Sequence, residues 1–291
     1  LAEPGLMQGD TNTGVSTFAF GGDLLGNLWK FDLSTSISPG ISVFVAKDAG
    51  GAPQPITSLT SLAYDSATNS TFALFGTGKY LSNADVSNTQ TQTWYGLRVG
   101  TGADLMTTAL ATAPNVTNTT ARSALTPRYA VDVGVNRATS LQVAGDMNNK
   151  AGWFMDLPQT GERIINRTQF IAGKAVVTTL IPKVSDPCNT IPAGALMGVD
   201  PFTGANQVSD YGLGTTTISY TNAAGQPVSA VVAINGQVFA SGPAGGVTAV
   251  YTADGKVSIT FNTLGGGQVN LGPLNLGGGS TGRVSWRELV N

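Results

Sequence analysis

The chain has 291 residues, of which 41% are hydrophobic and 11% are charged, and its formal net charge is −2. This length and apolar content can bury a core, which excludes a disordered chain, and the weak charge without a basic cluster excludes nucleic-acid binding. The sequence contains no histidine, which excludes Ser-His-Asp and Cys-His catalysis and histidine-ligated metals. It also has no apolar run of about 18 residues, so it predicts no membrane-spanning helix.

Short segments with period-two alternation recur along the whole chain and predict an all-β protein. Turn signals such as Gly50-Gly51 and Asp254-Gly255 separate these segments. Only residues 57–62 and 285–290 are predicted as short helices. The predicted strands lie at residues 16–20, 28–33, 41–46, 71–75, 92–99, 152–156, 169–172, 175–181, 195–199, 217–220, 229–234, 248–251, 256–261 and 283–286.

The segment 28–33 has the clearest alternation of these strands. Trp29, Phe31 and Leu33 share one face, and the three residues between and before them share the other. An aromatic face of this kind predicts a strand that is buried on that side. The glycines before it and Asn27 supply the positive φ angles that a tight turn needs.

A degenerate repeat links three segments of the chain, at residues 27–33, 152–161 and 195–204. In each an apolar strand runs into an aspartate, and two copies continue into a Thr-Gly turn. Repeated strand-rich units of about 40–50 residues indicate a β-propeller. The uneven spacing implies long insertions between strands, so we expect a modified or partial propeller. Residues 1–204 are predicted to form its blades, and residues 205–291 a last irregular blade or a hairpin appendage that closes it.

The aspartates of the repeat are the main candidates for chemistry. We interpret Asp23, Asp32, Asp156 and Asp200 as turn residues, since their carboxylates can accept backbone N–H groups. The segment 76–79 is not interpreted as a phosphate loop, because Tyr80 follows it where Ser or Thr is needed.

The lone Cys188 cannot form a disulfide within this chain. It is interpreted as a buried or half-buried thiol, with a partner cysteine outside this sequence as the alternative. A catalytic thiol is disfavoured, because no histidine is present to activate it. The first residue is Leu rather than Met, so we expect the chain to be a piece of a longer protein.

Five motifs occur in order along the chain, at residues 22–33, 75–81, 152–163, 179–182 with Cys188 and Leu196, and 282–289. Together they resemble the C-terminal domain of the PilC/PilY family of type IV pilus tip adhesins and biogenesis factors. The resemblance implies a modified β-propeller in a large secreted protein, exported through the periplasm to the outer surface. It also implies partners, namely minor pilins at the pilus tip and a host or abiotic surface, with roles in pilus assembly against retraction, adhesion and twitching motility.

Many members of this family carry a calcium loop just before the segment that corresponds to residues 22–33. The only candidate ligands here are Asp10 and Asn12, which supply two or three oxygens with a backbone carbonyl, whereas calcium takes six to eight. When the segment is aligned on Gly14, both fall out of phase and none of the ligand positions holds a carboxylate. We therefore expect no cofactor, and a melting temperature that millimolar calcium leaves unchanged.

The main hypothesis is a non-enzymatic pilus-tip component in which Trp29, Trp153 and Trp286 anchor the core. The alternative is a quinoprotein-like or glycan-processing propeller enzyme, since Asp-x-x-Thr-Gly strand ends also occur in quinone-dependent propellers. Neither a Trp-docking repeat nor an acid/base pair is identifiable in favour of the enzyme. A second rival is a structural outer-surface protein with no association with pili.

Overall fold

The computed structural model describes residues 1–8, 15–34, 39–101, 116–183, 191–207 and 209–276. Within these ranges the protein is almost entirely β-structure, which confirms the predicted all-β class. The only helical elements there are the short helix α1 at Asn83–Val86 and a 3₁₀ turn at Arg122–Ala124. No helix in these ranges is long and apolar enough to cross a membrane.

The described residues form nineteen strands. In chain order these are β1 (Gly5–Gln8), β2 (Ser16–Gly22), β3 (Asn27–Asp32), β4 (Ile41–Val45), β5 (Ser61–Asp65), β6 (Ser70–Gly76), β7 (Thr93–Thr101), β8 (Thr126–Val133), β9 (Asn136–Thr139), β10 (Gly152–Asp156), β11 (Gln169–Ile171), β12 (Lys174–Thr178), β13 (Gly194–Val199), β14 (Thr215–Thr221), β15 (Pro227–Ala233), β16 (Gly236–Phe239), β17 (Thr248–Tyr251), β18 (Val257–Asn262) and β19 (Gln268–Leu274).

The strands form four sheets, most of them built from antiparallel neighbours. Strands β1 to β4 make a four-stranded meander, the usual form of a propeller blade. A ten-stranded sheet follows the order β11-β12-β13-β16-β9-β8-β10-β7-β6-β5, and its one parallel pair, β8 with β10, joins two antiparallel halves. The hairpin β14-β15 and the meander β17-β18-β19 complete the described strands.

Three hydrophobic clusters lie between layers of strands, and the second of them lies between two parts of the ten-stranded sheet. The first joins β2, β3 and β4 to one face of β6 and β7, and the second joins the opposite face of β6 and β7 to β12 and β13. The third joins β11 to β13 to the meander β17-β18-β19. Because β6 packs on both faces, all seven of its residues are buried. This face-to-face stacking of sheets is the layer arrangement of a propeller.

The predicted helix at residues 57–62 is wrong. The segment runs extended along the end of β6, and β5 already begins at Ser61. The Thr57 hydroxyl donates to the Gly78 carbonyl (2.7 Å), and the Ser58 hydroxyl donates to the Gly76 carbonyl (2.9 Å). Hydroxyl side chains that bond to a neighbouring strand in this way compete with local helix formation.

The buried face of β3 also differs from the prediction. Leu28 is completely buried in the first cluster, whereas Trp29 and Phe31 are half-buried and Leu33 is 48% exposed. The strand itself was predicted correctly, but of its six residues only Leu28, on the opposite face, is buried. Trp29 lies at the edge because its indole N–H bonds to a polar partner there.

The ten-stranded sheet contains strands from both sides of residue 204. Strand β16 pairs with β13 and β9, while the hairpin β14-β15 packs on β9 through Ile218, Val232 and Ala138. The proposed division of the chain at residue 204 remains a prediction.

Candidate functional site

Several of the predicted site residues lie outside the described residues. These are the calcium candidates Asp10 and Asn12, Cys188, Trp286 and the motif 282–289. Nothing in the structure tests them, so they stay predictions. Within the ranges that the structure describes, no three His, Cys, Asp or Glu side chains are grouped so that they could hold a metal ion.

Asp23 organises the turn between β2 and β3. Its Oδ1 accepts the backbone N–H groups of Leu25 and Asn27, each at 2.9 Å, and its Oδ2 accepts the side-chain N–H groups of Asn27 and Trp29, each at 2.8 Å. Burial alone would raise the pKa of Asp23, but these hydrogen bonds outweigh it and lower the pKa. The predicted turn role of Asp23 is confirmed, and its carboxylate is fully used by the fold.

The motif segments 75–81 and 161–163 pack against each other. Arg163 donates to the carbonyl oxygens of Lys79, Asp85 and Asn88 at 2.7 to 3.0 Å. Gly78 has a φ of +120°, and a Cβ placed there would lie 2.4 Å from the Cβ of Arg163. Only glycine allows this close approach, so both segments serve to join blades.

Lys79, the lysine of the excluded phosphate loop, already has an anionic partner. Its Nζ lies 3.1 Å from Oδ1 of Asp85, whose Oδ2 accepts the backbone N–H groups of Leu81 and Ser82 at 2.9 Å. Burial would raise the pKa of Asp85, but these contacts lower it from 3.8 to about 2. The lysine therefore stabilises helix α1 through its contact with Asp85.

A buried ion pair that could not be predicted from the sequence involves β9, in the middle of the ten-stranded sheet. Arg137 and Glu162 are both fully buried, and their side chains form two hydrogen bonds of 2.5 and 3.0 Å. Asp132 binds the other side of the guanidinium, at 2.6 and 3.1 Å. Burial would lower the pKa of Arg137, but Glu162 and Asp132 raise it, so the cluster is charged and structural.

The aspartates of the repeat have two different roles. Asp200 accepts the N–H groups of Phe202 and Thr203, and Asp32 accepts that of Ser34, as predicted for turn residues. Asp156 does not hold a turn. Both oxygens of its carboxylate accept from Nη2 of Arg122, at 2.9 and 2.7 Å, and Arg122 begins the neighbouring 3₁₀ turn.

The tryptophans follow the prediction in part. Trp153 is completely buried and lies edge-on to Trp94, with ring centroids 5.4 Å apart. Its indole N–H donates to the Pro201 carbonyl at 3.0 Å, which links two copies of the repeat. Trp29 is only half-buried and contributes mainly through its bond to Asp23.

Two adjoining clefts meet at Arg122 and form a candidate binding surface. We call the pair the Arg122 groove. One cleft, of about 580 Å³, is bounded by β8, β10 and the hairpin β14-β15. The other, of about 310 Å³, lies beside the end of β4 and residues 118–122, and Ala49 and Arg122 line both clefts. Volumes of this size are typical of ligand sites.

Arg122 is held rigidly at the junction of the two clefts. Besides Asp156, it donates to the Lys47 carbonyl at 2.9 Å and to the Tyr95 hydroxyl at 3.1 Å. Its guanidinium lies 3.9 Å from the centroid of the Phe154 ring. Nothing in the sequence marked this residue as a site residue, since neither the 3₁₀ turn nor strand β8 was predicted.

Comparison with known proteins agrees with the motifs. Residues 1–126 match the family model described as the PilY1 beta-propeller domain. A protein of Xylella fastidiosa named type IV pilus biogenesis factor PilY1 homolog is 31% identical over 291 residues, covering 96% of this chain and 21% of the relative. This chain belongs to the PilY1 β-propeller family.

Other members of the PilY1 family agree with this assignment. Type IV pilus biogenesis factor PilY1 of Pseudomonas aeruginosa is 27% identical over 239 residues, covering 70% of this chain and 20% of that protein. The crystal structure of the P. aeruginosa PilY1 C-terminal domain superposes with a TM-score of 0.61 at 21% identity, over 93% of this chain and 60% of that one. The chain spans about a fifth of the length of these curated relatives.

Proposed function

We propose that this domain acts at the tip of a type IV pilus, where it promotes pilus assembly and contacts a host or abiotic surface. Minor pilins are the proposed partners, and the outer bacterial surface, reached through the periplasm, is the proposed location. The proposal extends to this chain what the names of its relatives say of them, namely that they are type IV pilus biogenesis factors.

The observation that carries the proposal is the extent of the relationship. The identity to the X. fastidiosa relative runs over 96% of the chain, so it covers more than one motif or one blade. In the structure, the segments 22–33, 75–81 and 161–163 join turns and blades through Asp23, Gly78 and Arg163. The motifs therefore support a shared propeller framework, and surface loops on such a framework are free to carry partner contacts.

We propose a non-catalytic role, and the state of the carboxylates supports it. A glycosidase needs two carboxyl groups that act on one substrate. Asp156 is paired with Arg122, Glu162 with Arg137, and Asp200 with the backbone of its own turn. Each of these groups is already used in folding, which disfavours the glycan-processing alternative.

The location is tested by immunogold labelling of intact cells with an antibody raised against this domain. Label at the distal ends of thin surface fibres is the expected result. Protein found only in the periplasm, with unlabelled fibres, would contradict the proposal and favour the quinone-dependent enzyme. Deletion of the gene should reduce surface pili, and the wild-type gene should restore them.

A further inference from the structure

The Arg122 groove has the side chains that proteins use to hold a peptide. One wall of its larger cleft carries Tyr129 of β8 and Tyr220 of β14, whose rings stack with centroids 4.4 Å apart and planes inclined by 18°. Phe154 of β10 lines the same cleft. Tyrosine, phenylalanine and arginine are enriched where proteins bind proteins, because they give a large contact area for little conformational entropy.

The aromatic wall is built from two separate parts of the fold. Tyr129 belongs to the ten-stranded sheet and Tyr220 to the hairpin β14-β15, which has its own hydrogen-bonded ladder. The next three residues of the hairpin, 221–223, also line the cleft. The hairpin therefore lies along one side of the cleft, and the apolar residues Pro127, Ala130 and Val131 line it from β8.

The charges along the groove favour an anionic occupant. The arginines there are neutralised by the protein, since Arg122 pairs with Asp156 and Arg128 pairs with Asp146. Two lysines are not. Lys150, in the larger cleft, donates to the Ser123 carbonyl at 2.9 Å and keeps two further N–H donors. Neither Lys150 nor Lys47 has a carboxylate within salt-bridge distance among the described residues. Lys47 lines the smaller cleft together with the carboxylate of Asp48, so the unbalanced positive charge of the groove is that of Lys150.

We propose that the Arg122 groove binds an acidic segment of a partner protein, with an apolar side chain against Tyr129 and Tyr220 and a carboxylate facing Lys150. The net charge of the chain is −2, so the positive charge at Lys150 is local. The inference deepens the proposed function, on which its biological meaning rests, because it gives the chemistry of one partner contact.

The test begins with random octapeptides displayed on phage and selected on the purified chain. We expect the selected peptides to place Asp or Glu next to an aromatic or aliphatic residue. The strongest binder is then labelled, and its affinity is measured by fluorescence anisotropy. Raising the salt from about 0.1 M to about 1 M shortens the Debye length from about 10 Å to about 3 Å and should weaken binding at least tenfold.

Two pairs of variants locate the binding. Lys150→Glu should weaken it about tenfold or more, whereas Lys183→Glu should not, although Lys183 also donates to a backbone carbonyl at 2.9 Å. Tyr220→Ala should abolish most binding, whereas Tyr251→Ala, at a tyrosine that is 60% exposed in another sheet, should not. Thermal melting of each variant checks that it is folded.

Several outcomes would overturn the inference. Selection of basic or purely polar peptides would do so, as would an affinity that Lys150→Glu leaves unchanged. Binding of neutral oligosaccharides on a glycan array that Tyr220→Ala removes would replace the peptide with a carbohydrate. Pilus-tip labelling is independent of these results, so it can fail while peptide binding succeeds, and the reverse.

Discussion

Trp29 donates its indole N–H to Asp23 across the turn between β2 and β3, with 2.8 Å between Nε1 and Oδ2. The two residues belong to the segment that most clearly resembles the family, and the bond explains why an aspartate and a tryptophan occur six positions apart there. The Asp23 carboxylate fixes the turn by accepting its backbone N–H groups, and the indole N–H binds the other oxygen of the same carboxylate. The signature is therefore a folding element of the blade.

Replacement of Asp23 by Ala should lower the free energy of unfolding by about 3 kcal/mol, since four hydrogen bonds to one carboxylate are lost. Asp210→Ala is the matched control. Its Oδ1 accepts the N–H groups two and four residues later, as in Asp23, but no group of the described residues donates a hydrogen bond to its second oxygen. The control should lose clearly less stability in urea denaturation. Equal losses would contradict the role given to the contacts of Asn27 and Trp29.

Asp85 predicts a specific response to acid. Its pKa is about 2 in the folded protein and ordinarily 3.8, so the folded state binds the proton less tightly than the unfolded state. Its contribution to stability is complete above about pH 5 and is lost as the pH falls from about 4 to about 2. The difference in unfolding free energy between the wild type and Asp85→Asn should shrink over that range.

The control for this experiment is Ser87→Ala, at the C-terminal cap of the same helix. The Ser87 hydroxyl donates only to the Ala84 carbonyl, so the effect of its removal should not depend on pH. Urea denaturation at a series of pH values measures both differences. An Asp85→Asn difference that stays constant down to pH 2 would contradict the assignment.

The sequence predicted the strands where alternation or an apolar run was bounded by turns. The strand at Gly152–Asp156 and the one at Thr248–Tyr251 lie where they were predicted. The strands that were missed have weak local signals. Strand β8 contains Pro127, which argues against a strand interior, yet it pairs with β10 through Phe154 opposite that proline.

The long-range contacts could not be predicted from spacing alone. Arg137 and Glu162 lie 25 residues apart, and Tyr129 and Tyr220 are 91 positions apart, in different sheets. Nothing local in the sequence marks these pairs, because the order β9-β8-β10 brings the segment after β10 to Arg137, and the placement of the hairpin brings Tyr220 to Tyr129. The turn roles of Asp23 and Asp200 could be predicted, because an aspartate in a turn bonds to residues next to it.

Glu162→Gln should destabilise the protein by about 3 kcal/mol, because breaking a buried ion pair leaves charge without full compensation. Asp254→Asn removes one partner of the exposed pair Lys256–Asp254 and should leave the unfolding curve nearly unchanged. Urea denaturation at neutral pH measures both. If Glu162→Gln lowered the free energy of unfolding as little as Asp254→Asn, Asp132 alone would be enough to balance the charge of Arg137.

Gly204 and Gly134 give a test of how the repeat joins two blades. Both have φ angles near +65°, at +66° and +63°, so an alanine at either position pays a similar backbone cost, about 1 kcal/mol. A Cβ at Gly204 would lie 2.3 Å from the Trp153 indole, whereas a Cβ at Gly134 would meet nothing within 4 Å.

Gly204→Ala should therefore cost about 2 kcal/mol more than Gly134→Ala, since the fully buried indole has little room to shift. Urea denaturation gives the difference, and the near-ultraviolet circular dichroism of Trp153 should change only in Gly204→Ala. Equal stabilities would show that the turn can move away from the indole. In that case the Thr-Gly turn of the repeat would be a local connection and would not fix the packing between blades.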